Sequence, residues 1–401
     1  MRKLNLFVTL SVNISMKNKV KILFVVSEFY QAGTQRFTFE LDRALDKGKF
    51  EVEILCILPL NNSDRFIDYY FEKHKELGTK IHFLQDVNQL TEPTLRQKIN
   101  KRIANIPYED ERTKIKRFFD NFDCISIMGE YNFKEIYKYI SSENKHKLLI
   151  HIQNSKYQVK NTYEAFPKNE EFQFVSGFHE DQISFELSEF SNFKHTYYNL
   201  NLRFENEFVK TSYQSSVKPK IGIFTRLTQA KPLDPFIYSF HVLKEQIPDA
   251  EFHIFGSGDP IKEGVYRYVQ QLKLEQAIHF RGHQENILKT AIEEELDLVW
   301  LHGYHGLPGG WVGFDISTAK LPQLFWNFGN NTGKFYSFFP MFNSVSELVK
   351  KSISLLSNPT EAKMLADEQF NYTNENYNIS KNIHVMEQLY LQLANRLNSG
   401  K

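Results

Sequence analysis

At 401 residues the chain is longer than a single hydrophobic core accommodates, and an apolar fraction of 41% supplies enough side chains for two globular domains. Its 49 Lys plus Arg nearly cancel its 48 Asp plus Glu, so no overall field attracts nucleic acid or anionic lipid. The two cysteines, Cys56 in EILCIL and Cys124 in DCISIM, sit in apolar runs as small buried side chains, which points away from a disulfide framework or a zinc site and fits a reducing cytoplasm.

The opening MRKLNLFVTLSVNISM joins two cations to a short apolar segment, in faint imitation of a signal peptide. Thr9, Ser11 and Asn13 interrupt it and Met16 offers a second start, so residues 1–16 are expected to be a leader or a misassigned start. Val20 to Ser27 (VKILFVVS) is a near-continuous apolar run, the mark of a buried parallel strand. The loop EFYQAGTQ, helical spacing in RFTFELDRAL and a second strand in FEVEILCIL complete a β-α-β unit. KIHFL, CISIM, KLLIHI and FQFVS are further strand candidates between charged, helix-compatible segments, so residues 17–210 read as a doubly wound α/β domain.

Near Thr211 the chain turns small and polar (KTSYQSSVKPK), which reads as a linker, and a second Rossmann-like pattern occupies 211–375. Its elements are the strand IGIFTRL, the helix DPFIYSFHVLKEQ, the strand AEFHIFGSG, the helix GVYRYVQQLKLE, the strands AIHFRG and LDLVWLHG, a glycine-rich loop, and LPQLFWN. Helical patterning over 376–401 is expected to close the chain with a helix that crosses back to the first domain. No stretch approaches the roughly 20 apolar residues of a membrane helix. The 36 Phe and 20 Tyr are read as core filling.

The strongest chemical signal is FTRLTQAK, where Arg226 and Lys231 lie five apart on the loop leaving a strand, ahead of a helix. A guanidinium fork, an ammonium and a helix N-terminus together favour a diphosphate; the alternative is two solvated surface cations. At this point the chain resembles glycosyltransferase family 4, whose second domain opens with a motif like G-R-L-x-x-E-K-G, matched here by TRLTQAKP with Pro232 at the usual glycine. HIFGSGDP, with Gly256 and Gly258, resembles the family's I-x-G-x-G-P strand end. AIHFRGHQEN resembles V-x-F-x-G, so the resemblance sets Arg281, Gly282 and His283 beside the nucleobase. LDLVWLHG, with Asp297, is similar to A-D-V-F-x-x-P-S.

The family's paired glutamates, E-G-F-G-x-x-x-x-E ahead of G-L-P-V, align through Leu321-Pro322 to Asp315 at the second acid and Leu307 at the first. The resemblance implies that Asp315 binds the ribose hydroxyls, the alternative being a helix-cap or surface aspartate, while the carboxylate that would contact the transferred sugar is missing at Leu307. Gly306, Gly309 and Gly310 are retained for close backbone approach, and His305 offers a substitute polar contact. In the first half, QAGTQRFTFELDRAL resembles the family's G-G-A-E-R helix start, with Ala32, Gly33 and Thr34 in those places. His151, ending KLLIHIQN, occupies the family's histidine position facing acceptor or donor sugar, the alternative being a satisfied structural histidine.

The resemblance implies a GT-B fold, two Rossmann-like domains facing a central cleft, and retaining, metal-independent transfer of a sugar from a nucleoside diphosphate, UDP or GDP, to a hydroxyl on a carbohydrate, lipid-linked or protein acceptor. Arg226, Lys231 and His151 would carry catalysis. No cofactor, metal or nucleic-acid partner is expected, and no Asp-x-Asp site is evident; EDE at 109–111 reads as solvated surface. Membrane contact through a lipid-linked acceptor stays open, but no basic amphipathic helix marks it. A noncatalytic nucleotide-sugar-binding protein and a nonhydrolysing sugar-nucleotide epimerase are the competing expectations.

Overall fold

The computed structural model describes residues 19–61, 68–89, 111–154, 163–177, 180–199, 201–204, 207–304, 307–308, 310–328 and 338–399. The expected leader at 1–16, most of EDE, His305, Gly306 and Gly309 lie outside them. The chain divides into two compact units. One runs to Tyr198 and takes in the chain from Ile383 onward, and the other is Asn199–Asn382.

In the first unit seven parallel strands are described: β1 (Val20–Val26), β2 (Phe50–Cys56), β3 (Lys80–Phe83), β4 (Cys124–Met128), β5 (Leu148–His151), β6 (Phe172–Ser176) and β7 (Phe193–Tyr197), in the order β3-β2-β1-β4-β5-β6-β7. The order reverses beside β1, where β2 lies on one side and β4 on the other, making a switch point of the kind that binds ligands in open α/β sheets. Every residue of CISIM and FQFVS is buried, as central strands covered on both faces require. Helix α1 (Gly33–Ala44) follows β1, and α2 (Tyr69–Glu76), α3 (Leu84–Gln89), α4 (Glu111–Asp120), α5 (Phe133–Tyr137) and α6 (Glu180–Glu186) follow in chain order. KIHFL stops one residue short as a strand, because Leu84 already starts α3.

The second unit repeats the plan with β8 (Lys220–Phe224), β9 (Glu251–Phe255), β10 (Ile278–Gly282), β11 (Leu298–Tyr304), β13 (Gln323–Asn327) and β14 (Met341–Phe342), ordered β10-β9-β8-β11-β13-β14; β12 (Leu307–Pro308) pairs antiparallel with β11. Helices α7 (Asp234–Gln246), α8 (Val265–Gln271), α9 (Ile287–Glu293), α10 (Gly310–Thr318), α11 (Val345–Ser357) and α12 (Pro359–Asn376) accompany them. The glycine-rich loop of the sequence thus yields to α10 at Gly310. Local chemistry fixes several starts: Asn286 Oδ1 accepts from the amides of Leu288 (3.1 Å) and Lys289 (3.0 Å), and Asn358 Oδ1 from Glu361 (3.2 Å). The polar stretch before β8 lies against this unit, with the Lys210 amide donating to the Ala319 carbonyl at 2.9 Å.

The aromatics do fill the cores. Phe133, Phe166, Phe172, Phe174 and Phe190 form one interlocked group, with Phe133 stacked on Phe166 at 3.8 Å, each burial being worth about 1.5–3 kcal/mol. Helix α13 (Ile379–Ser399) seats Met386, Tyr390 and Leu393 in the first unit, where Tyr390 lies near Phe24 and Phe50. Cys56 and Cys124 are buried and unpaired, and burial pushes the Cys56 thiol up to about 12. In the second unit, Gln369 of α12 answers β13 twice: its Oε1 accepts from the Gln323 amide and its Nε2 donates to the Gln323 carbonyl, both at 3.0 Å.

Candidate functional site

In the second unit the carboxyl ends of β8, β9 and β10 bring Gly256, Gly258 and Gly282 together with the segment that carries Arg226 and Lys231. Phe224 ends β8, and the loop beyond it is pinned by two amides: Thr225 donates to the Phe255 carbonyl and Leu227 to the Ser257 carbonyl, both at 2.8 Å. These bonds hold the 225–227 backbone on top of Gly256 and Gly258. Both glycines have positive φ, 153° and 120°, and a β-carbon on either would meet backbone: 1.7 Å from the Thr225 oxygen at Gly256, and 2.6 Å from the Leu227 oxygen at Gly258. Only glycine lets these loops lie so close. The Gly256 amide also donates to the Gly282 carbonyl at 2.8 Å, joining the third loop to the other two.

Arg226 and Lys231 stand together on this platform. Arg226 is exposed, and among the described residues it forms no ion pair. Burial first, and then the nearby Arg226 charge, hold the Lys231 ammonium below its ordinary range. A half-buried cation beside a second cation makes a positive field that suits an anionic group.

His302, which the sequence reading passed over, belongs to the same corner. It sits near the carboxyl end of β11, its Nε2 is 3.1 Å from the Pro232 carbonyl, and its ring meets Phe236 edge-on at 5.0 Å. Burial, offset in part by that carbonyl and reinforced by Lys231, lowers its pKa to about 4. A histidine at the carboxyl end of a buried strand, the feature that marks His151, marks His302 as well.

Other expected residues take different places. Arg281 donates from Nε to His253 Nδ1 at 3.3 Å and reaches Glu294 at 3.7 Å, so its guanidinium joins a separate polar cluster. His283 is exposed. Gly310 opens α10 with φ 58° and open space where a side chain would stand. Asp315 lies inside α10 and is only 5% exposed. Leu307 belongs to β12.

In the first unit, Gly33 is the first residue of α1. His151 is turned inward, 1% exposed, with Nε2 2.8 Å from Ser126 Oγ, which is in turn 3.1 Å from the Tyr390 hydroxyl; burial lowers its pKa to about 3. The side chains at this sheet's switch point are ones the sequence reading missed. Glu130, just beyond β4, is 0% exposed and accepts from the Gln153 amide (2.8 Å) and Asn154 Nδ2 (2.9 Å), yet burial still raises its pKa. Gln35 of α1 donates to Glu28 at 2.6 Å, beyond the end of β1. GEYN directly after the apolar CISIM run was the available signal.

No protein-family model matches the chain, and no curated protein matches it. Solved structures do. Staphylococcus aureus TarM superposes with a TM-score of 0.67 at 12% identity, over 95% of this chain and 100% of that one. Anabaena HepE, solved with UDP and glucose, gives 0.64 at 12% identity over 94% and 99%. The pneumococcal O-GlcNAc transferase GtfA, solved with UDP and GlcNAc, gives 0.57 at 10% identity over 94% and 99%. Two successive α/β units, each built on a parallel sheet, give this chain the fold of the GT-B glycosyltransferases.

Proposed function

We propose that the protein is a glycosyltransferase that moves a sugar from a nucleoside-diphosphate sugar to a hydroxyl acceptor with retention of anomeric configuration. The pairing of Arg226 with Lys231 over the Gly256 and Gly258 backbone carries this reading. As the bond between the anomeric carbon and the diphosphate oxygen breaks, negative charge collects on the departing diphosphate, and the two cations stabilise it where it develops. The acceptor oxygen forms the new bond to the anomeric carbon and passes its proton to the departing diphosphate oxygen. On this reading the cations neutralise the leaving group directly and no metal takes part. The solved relatives that hold UDP favour a uridine nucleotide over a guanosine one. Asp315, Gly282, His283, His305, Gly309 and Gly310 are donor contacts on this reading and Gly33 a close backbone approach, whereas the Arg281 guanidinium is held by His253 and Glu294. His151, buried against Ser126, would serve by positioning β5 and its loop. The acceptor is a carbohydrate, lipid-linked or protein hydroxyl, and the site of action is the cytoplasm; no described helix is long and apolar enough to cross a membrane.

Leu307 at the place of the first acid favours a second reading, nucleotide-sugar binding without turnover. Incubation of the full chain with UDP- and GDP-sugars decides between them: release of free nucleoside diphosphate supports transfer, and saturable binding without release supports the second reading. Neither binding nor release would overturn both.

A further inference from the structure

Away from the strand ends that carry Arg226 and Lys231, the second sheet gathers a set of metal-binding side chains on one face. Glu251 and His253 are two apart on β9, so they share a face, and His279 of β10 is paired in register with His253. One carboxylate oxygen of Glu251 and one ring nitrogen from each histidine all lie within 4.8 Å of one another. A tetrahedral ion with bonds of about 2.1 Å sets its ligands about 3.4 Å apart. Glu251 Oε2 and His253 Nε2, 3.2 Å apart, already stand at that spacing, and His279 on the edge strand, half-buried, has only to turn inward.

We propose that Glu251, His253 and His279 bind a zinc-class divalent ion, with water in the fourth position. Two imidazoles with one carboxylate suit zinc and its neighbours and not magnesium or calcium, which prefer oxygen donors. The surroundings supply the second layer that such a site needs. His253 is 1% exposed, and its Nδ1 has two partners: Arg281 Nε, donating at 3.3 Å, and Glu294 Oε2 at 3.5 Å. With an ion on Nε2 the ring carries its proton on Nδ1, which then no longer accepts from Arg281 and instead donates a hydrogen bond to the Glu294 carboxylate, as metal-bound histidines require. Arg281 keeps Glu294 as its partner, and the Lys220 ammonium is held by the Glu294 carbonyl at 3.1 Å. The carboxylates of Glu251 and Glu294 balance these two cations before the ion arrives. The ion would tie edge strand β10 to β9 and to the end of α9. His253 lies three residues before Gly256, roughly 10 Å along the strand, so this site is separate from the diphosphate platform.

The test uses the full chain stripped with chelator and titrated with zinc, and with cobalt as a visible probe. Expected are one tightly held ion per chain, a cobalt absorption band of tetrahedral intensity and a raised melting temperature, with magnesium giving none of these. His279→Gln, at the half-buried edge position and so compatible with folding, should weaken zinc binding at least tenfold and abolish the zinc-dependent rise in melting temperature, and Glu251→Gln should act in the same direction. Zinc uptake by His279→Gln equal to that of the unaltered chain, or no saturable uptake by the unaltered chain, overturns the proposal.

Discussion

Gly256 lies so close beneath Thr225 that a β-carbon on it would stand 1.7 Å from the Thr225 carbonyl oxygen. The backbone itself is the obstacle, so no rotamer change relieves it, and φ at 153° adds strain for any other residue. Gly256→Ala is expected to cost about 2–4 kcal/mol of stability and to lift the Arg226 loop from its seat. Chemical denaturation together with nucleotide affinity checks this; an alanine variant unchanged in both would show that the contact yields easily.

Arg226→Ala and Lys231→Ala should each weaken nucleoside-diphosphate binding by about 1–3 kcal/mol, the range of charge-assisted contacts. Calorimetry on the folded variants measures it. Because Arg226 helps hold the Lys231 ammonium low, its removal should also raise the Lys231 pKa, visible in the NMR titration of the Lys231 side chain. Unchanged affinity in both variants would remove the basis of the proposed function.

His302 is held neutral, its pKa lowered to about 4 from an ordinary value near 6.5. The unfolded chain therefore takes up this proton first as the pH falls. The stability that His302 contributes is complete above about pH 6.5 and drains away down to about pH 4, below which no further loss occurs. His302→Gln removes this share, so its melting temperature should fall less between pH 7 and pH 5 than that of the unaltered chain. An equal fall in both would mean that the imidazole is not neutral in the fold.

Asp42 is 0% exposed and binds His74 Nδ1 at 2.7 Å, the Thr79 hydroxyl at 2.6 Å and the Lys47 ammonium. Burial alone would raise its pKa, but hydrogen bonding from His74 and the charge of Lys47 outweigh it and hold the carboxyl low. Asp42→Ala leaves these partners unsatisfied and should cost about 3–5 kcal/mol in the first unit. Trp300, Trp311 and Trp326 all belong to the second unit, so far-UV circular dichroism should shift more on denaturation than tryptophan fluorescence does. Equal shifts in the two signals would contradict a local effect.

Much of the fold was legible because parallel strands buried on both faces have almost no choice of residue. CISIM and FQFVS coincide with β4 and β6, and DPFIYSFHVLKEQ with α7, because apolar runs and helical spacing are local signals. FKHTY escaped notice because β7 is an edge strand, partly exposed and without an apolar run. The helix over Val345–Ser357 also went unremarked, although its start is marked by Ser344, whose hydroxyl accepts from the Glu347 amide at 3.3 Å.

The candidate site divides along the same line. By itself the sequence determined that two α/β units follow one another, that cations and glycines cluster where strands end, and that Leu307 stands where the resemblance expects an acid, since each follows from residue type and local spacing. Tertiary structure alone decided which of those side chains meet. It set Lys231 beside both Arg226 and His302, turned His151 inward to Ser126, and drew Arg281 away to His253 and Glu294. It also brought Glu251, His253 and His279 onto one face of two strands. Such partnerships are made across neighbouring strands and loops far apart in the chain, where sheet register and the direction of each side chain, neither of them a local property, set the distance.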